Sequence, residues 1–95
     1  PWRSYLLSAE GSGFFISGGQ SQGLKVGDVF PVYKKGKTVV NPQNGMKVEL
    51  PGEKVGEVTI AAFYGNTPES EISFASYRGT QIDANDFSQY YISEK

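Results

Sequence analysis

The chain contains no cysteine and no histidine. Without cysteine there is no disulfide, no thiolate nucleophile and little scope for structural zinc. Without histidine a Ser-His-Asp triad and a histidine metal site are excluded, and the commonest general base is missing. A strong charge imbalance is absent as well: nine Lys and Arg stand against ten Asp and Glu, for a net charge of −1. No global field therefore recruits nucleic acid or anionic lipid, and such binding needs a local patch. Apolar residues nowhere run for the ~20 positions that a membrane-spanning helix requires, so no direct membrane span is expected. These gaps point away from an enzyme. No catalytic, cofactor-binding or metal-ligating residue is assigned.

What the chain does have is glycine, proline and aromatic residues at short intervals. Twelve glycines and five prolines in 95 residues argue against long helices. Alternating apolar and polar segments recur between turn signals, which reads as one all-β domain spanning residues 1–95. Strands are expected over Trp2–Ala9, Phe14–Ser17, Asp28–Lys35, Thr38–Val40, Lys54–Tyr64 and Glu71–Tyr77, with Met46–Leu50 a strand or an extended loop. Glu10–Gly13 has the length of a hairpin turn, and Asn41-Pro42-Gln43-Asn44-Gly45 is the strongest turn in the chain. The first strand offers Trp2, Tyr5 and Leu7 as apolar groups, Val58, Ile60 and Ala62 share one face of the longest strand, and Ile72 and Phe74 are expected to face the core from the next. Phe87, Tyr90, Tyr91 and Ile92 fit either a helical turn or a last strand. Six or seven short antiparallel strands hide their edges best by closing into a small barrel or curled sandwich.

The segment that organises this pattern is Gly23-Leu24-Lys25-Val26-Gly27-Asp28-Val29-Phe30-Pro31-Val32-Tyr33. Gly23 and Gly27 suit positive φ, Leu24 and Val26 read as apolar plugs, and Asp28 is placed to bond the turn backbone. Phe30 and Val32 then begin a core-facing strand, with Val29 and Tyr33 on its other face. A lone carboxylate without a partner is a poor acid–base catalyst, so Asp28 is read as structural.

Three further groups invite functional readings. Asp83, Asn85 and Asp86 place oxygens as a calcium loop begins, but Asp86 is out of step and no glycine follows, so an Asx turn is the better reading. Lys34, Lys35 and Lys37 gather on what reads as a hairpin tip, near Tyr33 and Tyr64. That combination imitates an oligonucleotide-binding barrel, whereas the plainer reading is a solvated hairpin protecting an edge. Trp2 reads as a plug at one end of the barrel. Tyr90 and Tyr91 are adjacent on a strand, so one of them faces outward. Lys34, Lys35, Lys37, Tyr90 and Tyr91 are the candidate partner contacts, together with the Asn41–Gly45 turn.

Four segments in series carry a resemblance: Pro1-Trp2-Arg3; Gly23 to Lys34; Asn41-Pro42-Gln43-Asn44-Gly45; and Glu53-Lys54-Val55-Gly56-Glu57-Val58-Thr59-Ile60. Their order resembles the C-terminal domain of the bacterial flagellar assembly protein T family, with similar modules in curli-secretion-like envelope lipoproteins. The likeness covers roughly residues 1–64. The family's closing Gly-Asp pair is replaced here by Ile82-Asp83-Ala84-Asn85-Asp86-Phe87, without the glycine.

The resemblance implies an SH3-like barrel cut from a longer envelope protein, periplasmic or outer-membrane-associated. Its partners would be other envelope-assembly proteins or the preceding domains of the same chain. It supplies no catalytic residue. A nucleic-acid- or glycan-binding barrel is the rival reading.

Overall fold

Nine strands follow one another with no α-helix among the described residues, which are 3–83 and 85–94 of a computed structural model. They are β1 (Arg3–Ser4), β2 (Leu6–Glu10), β3 (Gly13–Ser17), β4 (Val29–Lys34), β5 (Thr38–Val40), β6 (Lys47–Glu49), β7 (Glu53–Tyr64), β8 (Ile72–Gly79) and β9 (Tyr90–Ser93). Seven form one antiparallel sheet in the order β1-β9-β4-β7-β8-β3-β2, and β5 and β6 form a separate two-stranded sheet. The two ends of the large sheet are consecutive pieces of chain, joined through Tyr5. β1 pairs with β9 and β2 with β3, so the first strand curls the sheet into a nearly closed small barrel. The seam is stitched where the Ser17 N–H donates to the Tyr5 carbonyl at 3.3 Å.

The interior is filled by Leu6, Phe14, Ile16, Leu24, Val32, Val58, Ile60, Ala75, Ile82, Tyr90 and Ile92. Truncating a fully buried member such as Ile60 to alanine is expected to cost about 2–5 kcal/mol. Two serines share this interior. The Ser4 hydroxyl donates to the Ser17 carbonyl at 2.6 Å, and the Ser73 hydroxyl to the Gly18 carbonyl at 2.7 Å. Both are fully buried, and each hydrogen bond removes the penalty of an unpaired polar group.

Those serines explain two corrections. In the first strand the inward residues are Ser4 and Leu6, opposite the buried Ile92 and Ile16, while Tyr5 and Leu7 are exposed. In β8 the inward residues are Ser73 and Ala75; Ile72 and Phe74 lie on the outer face. Hydrophobicity alone inverts both strands, because the small polar residue is the one that fits and finds an acceptor.

Ala62 is also displaced. A bulge between Ile60 and Ala62 turns β7 over, so that Ala62 pairs with the outward Phe74 and Phe63 packs against the core instead. The expected strand over Trp2–Ala9 is divided at Tyr5, and Trp2 lies outside the described residues. The ambiguous tail holds both expected forms, a 3₁₀ turn at Phe87–Gln89 followed by β9.

The Gly23–Tyr33 segment keeps its expected role. Gly23 and Gly27 have φ of +85° and +95°, and Asp28 accepts the Lys25 N–H at 2.9 Å. The turn is pinned to β7 by two bonds, Gly27 N–H to the Ile60 carbonyl and Ile60 N–H to the Asp28 carbonyl. Leu24 enters the core, Val32 is fully buried and Phe30 packs against the core from the side. Val26 is no plug. It sits at the turn's apex, 64% exposed.

Candidate interaction surface

β5 and β6 leave the barrel where β4 ends and β7 begins. The chain extends 49 Å along its longest axis against 27 and 23 Å across, with a radius of gyration of 14.8 Å. About 12 Å is the norm for a compact chain of this length. A projecting arm accounts for the excess.

The arm is built locally. Asn41 Oδ1 accepts the Gln43 N–H at 3.0 Å, Asn44 Oδ1 accepts the Met46 N–H at 2.9 Å, and Gly45 takes φ of +71° to close the turn. Val39 lies opposite Val48, and Val40 opposite Lys47. Leu50 donates its N–H to the Lys37 carbonyl and Asn41 donates to the Met46 carbonyl, both at 2.8 Å, which extends the ladder at either end. The side-chain period of two then places Val39, Met46, Val48 and Leu50 on one face, with Thr38, Val40, Lys47 and Glu49 on the other.

Val39, Val40, Met46, Val48 and Leu50 are between 42% and 61% exposed, and none belongs to the core. A lone two-stranded hairpin is marginal in water, and an uncovered apolar face is unusual. At its base, the arm is pinched by glycine. A Cβ on Gly36 would meet the carbonyls of Leu50 and Pro51, and one on Gly52 the Lys34 carbonyl and the Tyr91 hydroxyl.

The lysines mark this base. Lys34 ends β4 and pairs across to Glu53 of β7, and Lys35 bonds through its N–H to the Gln89 carbonyl. No hairpin tip forms there, because β4 and β5 do not pair; the tip is Asn41–Gly45. Residues 34–54 carry five lysines against Glu49 and Glu53, a local charge of +3 in a chain of −1. Lys54 and Glu57 form a solvent-exposed ion pair at 3.4 Å, which contributes little to stability.

Tyr90 and Tyr91 separate as the strand period requires, with different fates. Tyr90 is a core residue whose hydroxyl accepts the Asp83 N–H at 3.1 Å, so it is removed from the contact candidates. Tyr91 faces outward but is held. Tyr33 stacks on it with ring centroids 5.3 Å apart, and the Arg3 guanidinium lies 4.1 Å from its ring centre.

A second outward cluster joins Phe15 to Tyr64 and Phe74 in edge contacts of 5.9 and 5.3 Å. Beside it a surface cleft is lined by Gln20, Tyr64, Asn66, Thr67, Pro68 and Glu71.

Asp83, Asn85 and Asp86 form the Asx turn. Asn85 N–H bonds Asp83 Oδ1 at 2.9 Å, while Asp86 accepts from the Ser88 hydroxyl and the Gln89 amide. These two bonds hold the Asp86 carboxyl below its usual pKa. Among the described residues no cluster of three or more acidic side chains is placed to hold a metal ion, and no helix is long and apolar enough to cross a membrane.

Sequence reasoning misses the arm's apolar residues as a surface. Their signal is the alternation in Met46-Lys47-Val48-Glu49-Leu50, isolated from the barrel by Gly36 on one side and Pro51-Gly52 on the other. Comparison with protein-family models, with curated proteins and with solved structures finds no match to this chain.

Proposed function

We propose that this chain is a non-catalytic interaction module of a bacterial cell-envelope assembly, flagellar or curli-type, in which a barrel holds a β-arm out for contact. The observation that carries the interaction reading is the arm: five exposed apolar residues on a hairpin set apart from the core. The envelope context comes from the resemblance of four sequence segments to the flagellar assembly protein T family, and it implies a periplasmic or outer-membrane-associated setting. The partner is another assembly protein or a preceding domain of the same protein. Its surface is apolar with an acidic rim, matching the arm's valines and the +3 charge of residues 34–54.

A photo-crosslinking residue at Val39, in the full-length protein in its native cells, tests this reading. Crosslinks to envelope-assembly proteins or to the protein's own upstream domains are expected, and Val48→Asp should abolish them. Crosslinks confined to cytosolic proteins would contradict it.

The Tyr33–Tyr91 stack beside Lys34 and Lys35 favours the second reading, a nucleic-acid- or glycan-binding barrel. Against it, Tyr91 is flanked by Tyr33 on one neighbouring strand and Arg3 on the other, so its ring is already occupied. Binding to a single-stranded oligonucleotide that falls steeply with salt, and is lost when Lys34, Lys35 and Lys37 become Glu, would establish that alternative.

A further inference from the structure

Among the described residues β6 pairs only with β5. The phase of the ladder shows which backbone groups face away. Bonds join Leu50 to Lys37 and Asn41 to Met46. Bonded and non-bonded pairs alternate in an antiparallel ladder, so the pair bonded between these two is Val39 with Val48. Lys47 and Glu49 therefore direct their N–H and C=O groups outward, along the free edge of an exposed strand. Such an edge is a template for another strand unless something blunts it. No proline and no bulge interrupts it here, and the charges of Lys47 and Glu49 guard it against every incoming strand except one that sets an opposite charge beside each.

The residues on that edge are chemically palindromic. Met46-Lys47-Val48-Glu49-Leu50 has an apolar residue at each end and at the centre, with opposite charges between. We propose that a second copy of this chain pairs along β6, antiparallel and two-fold symmetric about Val48, joining two arms into one four-stranded sheet. In that register Lys47 faces Glu49 of the partner subunit and Glu49 faces the partner's Lys47, while Val48 meets the partner's Val48. Met46 and Leu50 of each copy stand opposite their apolar counterparts.

The backbone agrees with the side chains. Val48 bonds inward to β5, so the central pair is a non-bonded one. The Lys47–Glu49 pairs on either side are then hydrogen-bonded pairs, and they satisfy all four outward groups of each β6. An isologous two-fold contact of this kind closes on itself.

Other registers lack this match. Two-fold pairing of β5 about Val39 would set Lys37 against Asn41 and Thr38 against Val40, with no charge complement. Parallel pairing of β6 would set Lys47 beside Lys47. Because the paired arms run in opposite directions, the two barrels lie at opposite ends of the joined sheet.

The test is sedimentation velocity of the 95-residue chain over micromolar to millimolar concentration, together with Lys47→Glu, Glu49→Lys and the double swap. The unaltered chain is expected to pass from monomer to dimer as concentration rises. Each single variant places like charges opposite in two symmetric pairs and should weaken association by about tenfold. The double swap restores opposite charges and should recover it. Both substitutions fall on exposed positions, so circular dichroism and melting of all three variants should be unchanged. A chain that stays monomeric throughout, a dimer indifferent to the single swaps, or a double variant no better than the singles would overturn the pairing. Amide exchange of the unaltered chain gives an independent reading: the Lys47 and Glu49 amides should slow as concentration rises, and no slowing would also overturn it.

Discussion

Gly27 shows how much one residue decides. A Cβ placed on it would meet nothing within 4 Å, so space is no obstacle to substitution. Its φ of +95° is the obstacle, since side-chain-bearing residues rarely adopt it. Gly27→Val is expected to destabilise the chain by about 1–3 kcal/mol in chemical denaturation, with no change in the fluorescence of the native state. The same substitution would be nearly neutral if the turn tolerated negative φ.

Two ionisable groups make predictions at this scale as well. Burial raises the Tyr77 pKa above its ordinary 10.0, and its hydroxyl reaches the carbonyls of Thr80 and Val55 at 2.6 and 3.1 Å. A raised folded-state value means the contribution is complete below pH 10 and is lost as pH rises through the folded value. Tyr77→Phe should cost about 0.5–1.5 kcal/mol at neutral pH and flatten the alkaline fall in stability, as read from urea midpoints. For Asp86 the sign is opposite. Its depressed pKa gives a contribution present above the ordinary value of 3.8 and lost as pH falls through the folded one, so Asp86→Asn should lessen acid sensitivity.

At the scale of the element, what was legible followed from local chemistry. The turn at Gly23–Asp28, the hairpin turn at Glu10–Gly13 and the Asn41–Gly45 tip are written in glycine and asparagine, and each forms where those residues stand. The faces of β1, β2 and β8 are not legible. Inward Ser4 and Ser73 depend on acceptors 13 and 55 residues away, and no local pattern announces a distant carbonyl. The bulge that turns β7 over beyond Ile60 shows only in its register with β8, so it too is hidden from a local pattern.

The candidate contacts were half legible. Lys34, Lys35 and Lys37 stand at the arm's base and the Asn41–Gly45 turn is its tip, whereas the apolar face between them is written only as the short alternation of Met46–Leu50, which does not tell a covered strand from a bare one. Because no arm residue belongs to the core, replacing residues 38–49 by a short Gly-Ser linker should shift the melting temperature of the barrel by less than about 5 °C. A larger loss would mean that the arm packs on the barrel.

The whole molecule is a division of labour. Closure of the first strand onto both β9 and β3 gives the barrel a continuous interior, and long-range pairings β4–β7 and β7–β8 make it cooperative. Six or seven short strands are expected to hide their edges by closing into a small barrel, and a nearly closed barrel-like sheet is what the chain forms. The arm shares neither its sheet nor its core. Contact through the arm, with the barrel as holder, is the claim on which the functional reading rests.

Amide hydrogen exchange followed residue by residue at low micromolar concentration tests that claim most directly. Slow exchange in β3, β4, β7, β8 and β9, with fast exchange in β5 and β6, is the predicted result. Protection of the arm equal to that of the barrel would contradict it, because the arm would then be part of the core and not a surface held out for a partner.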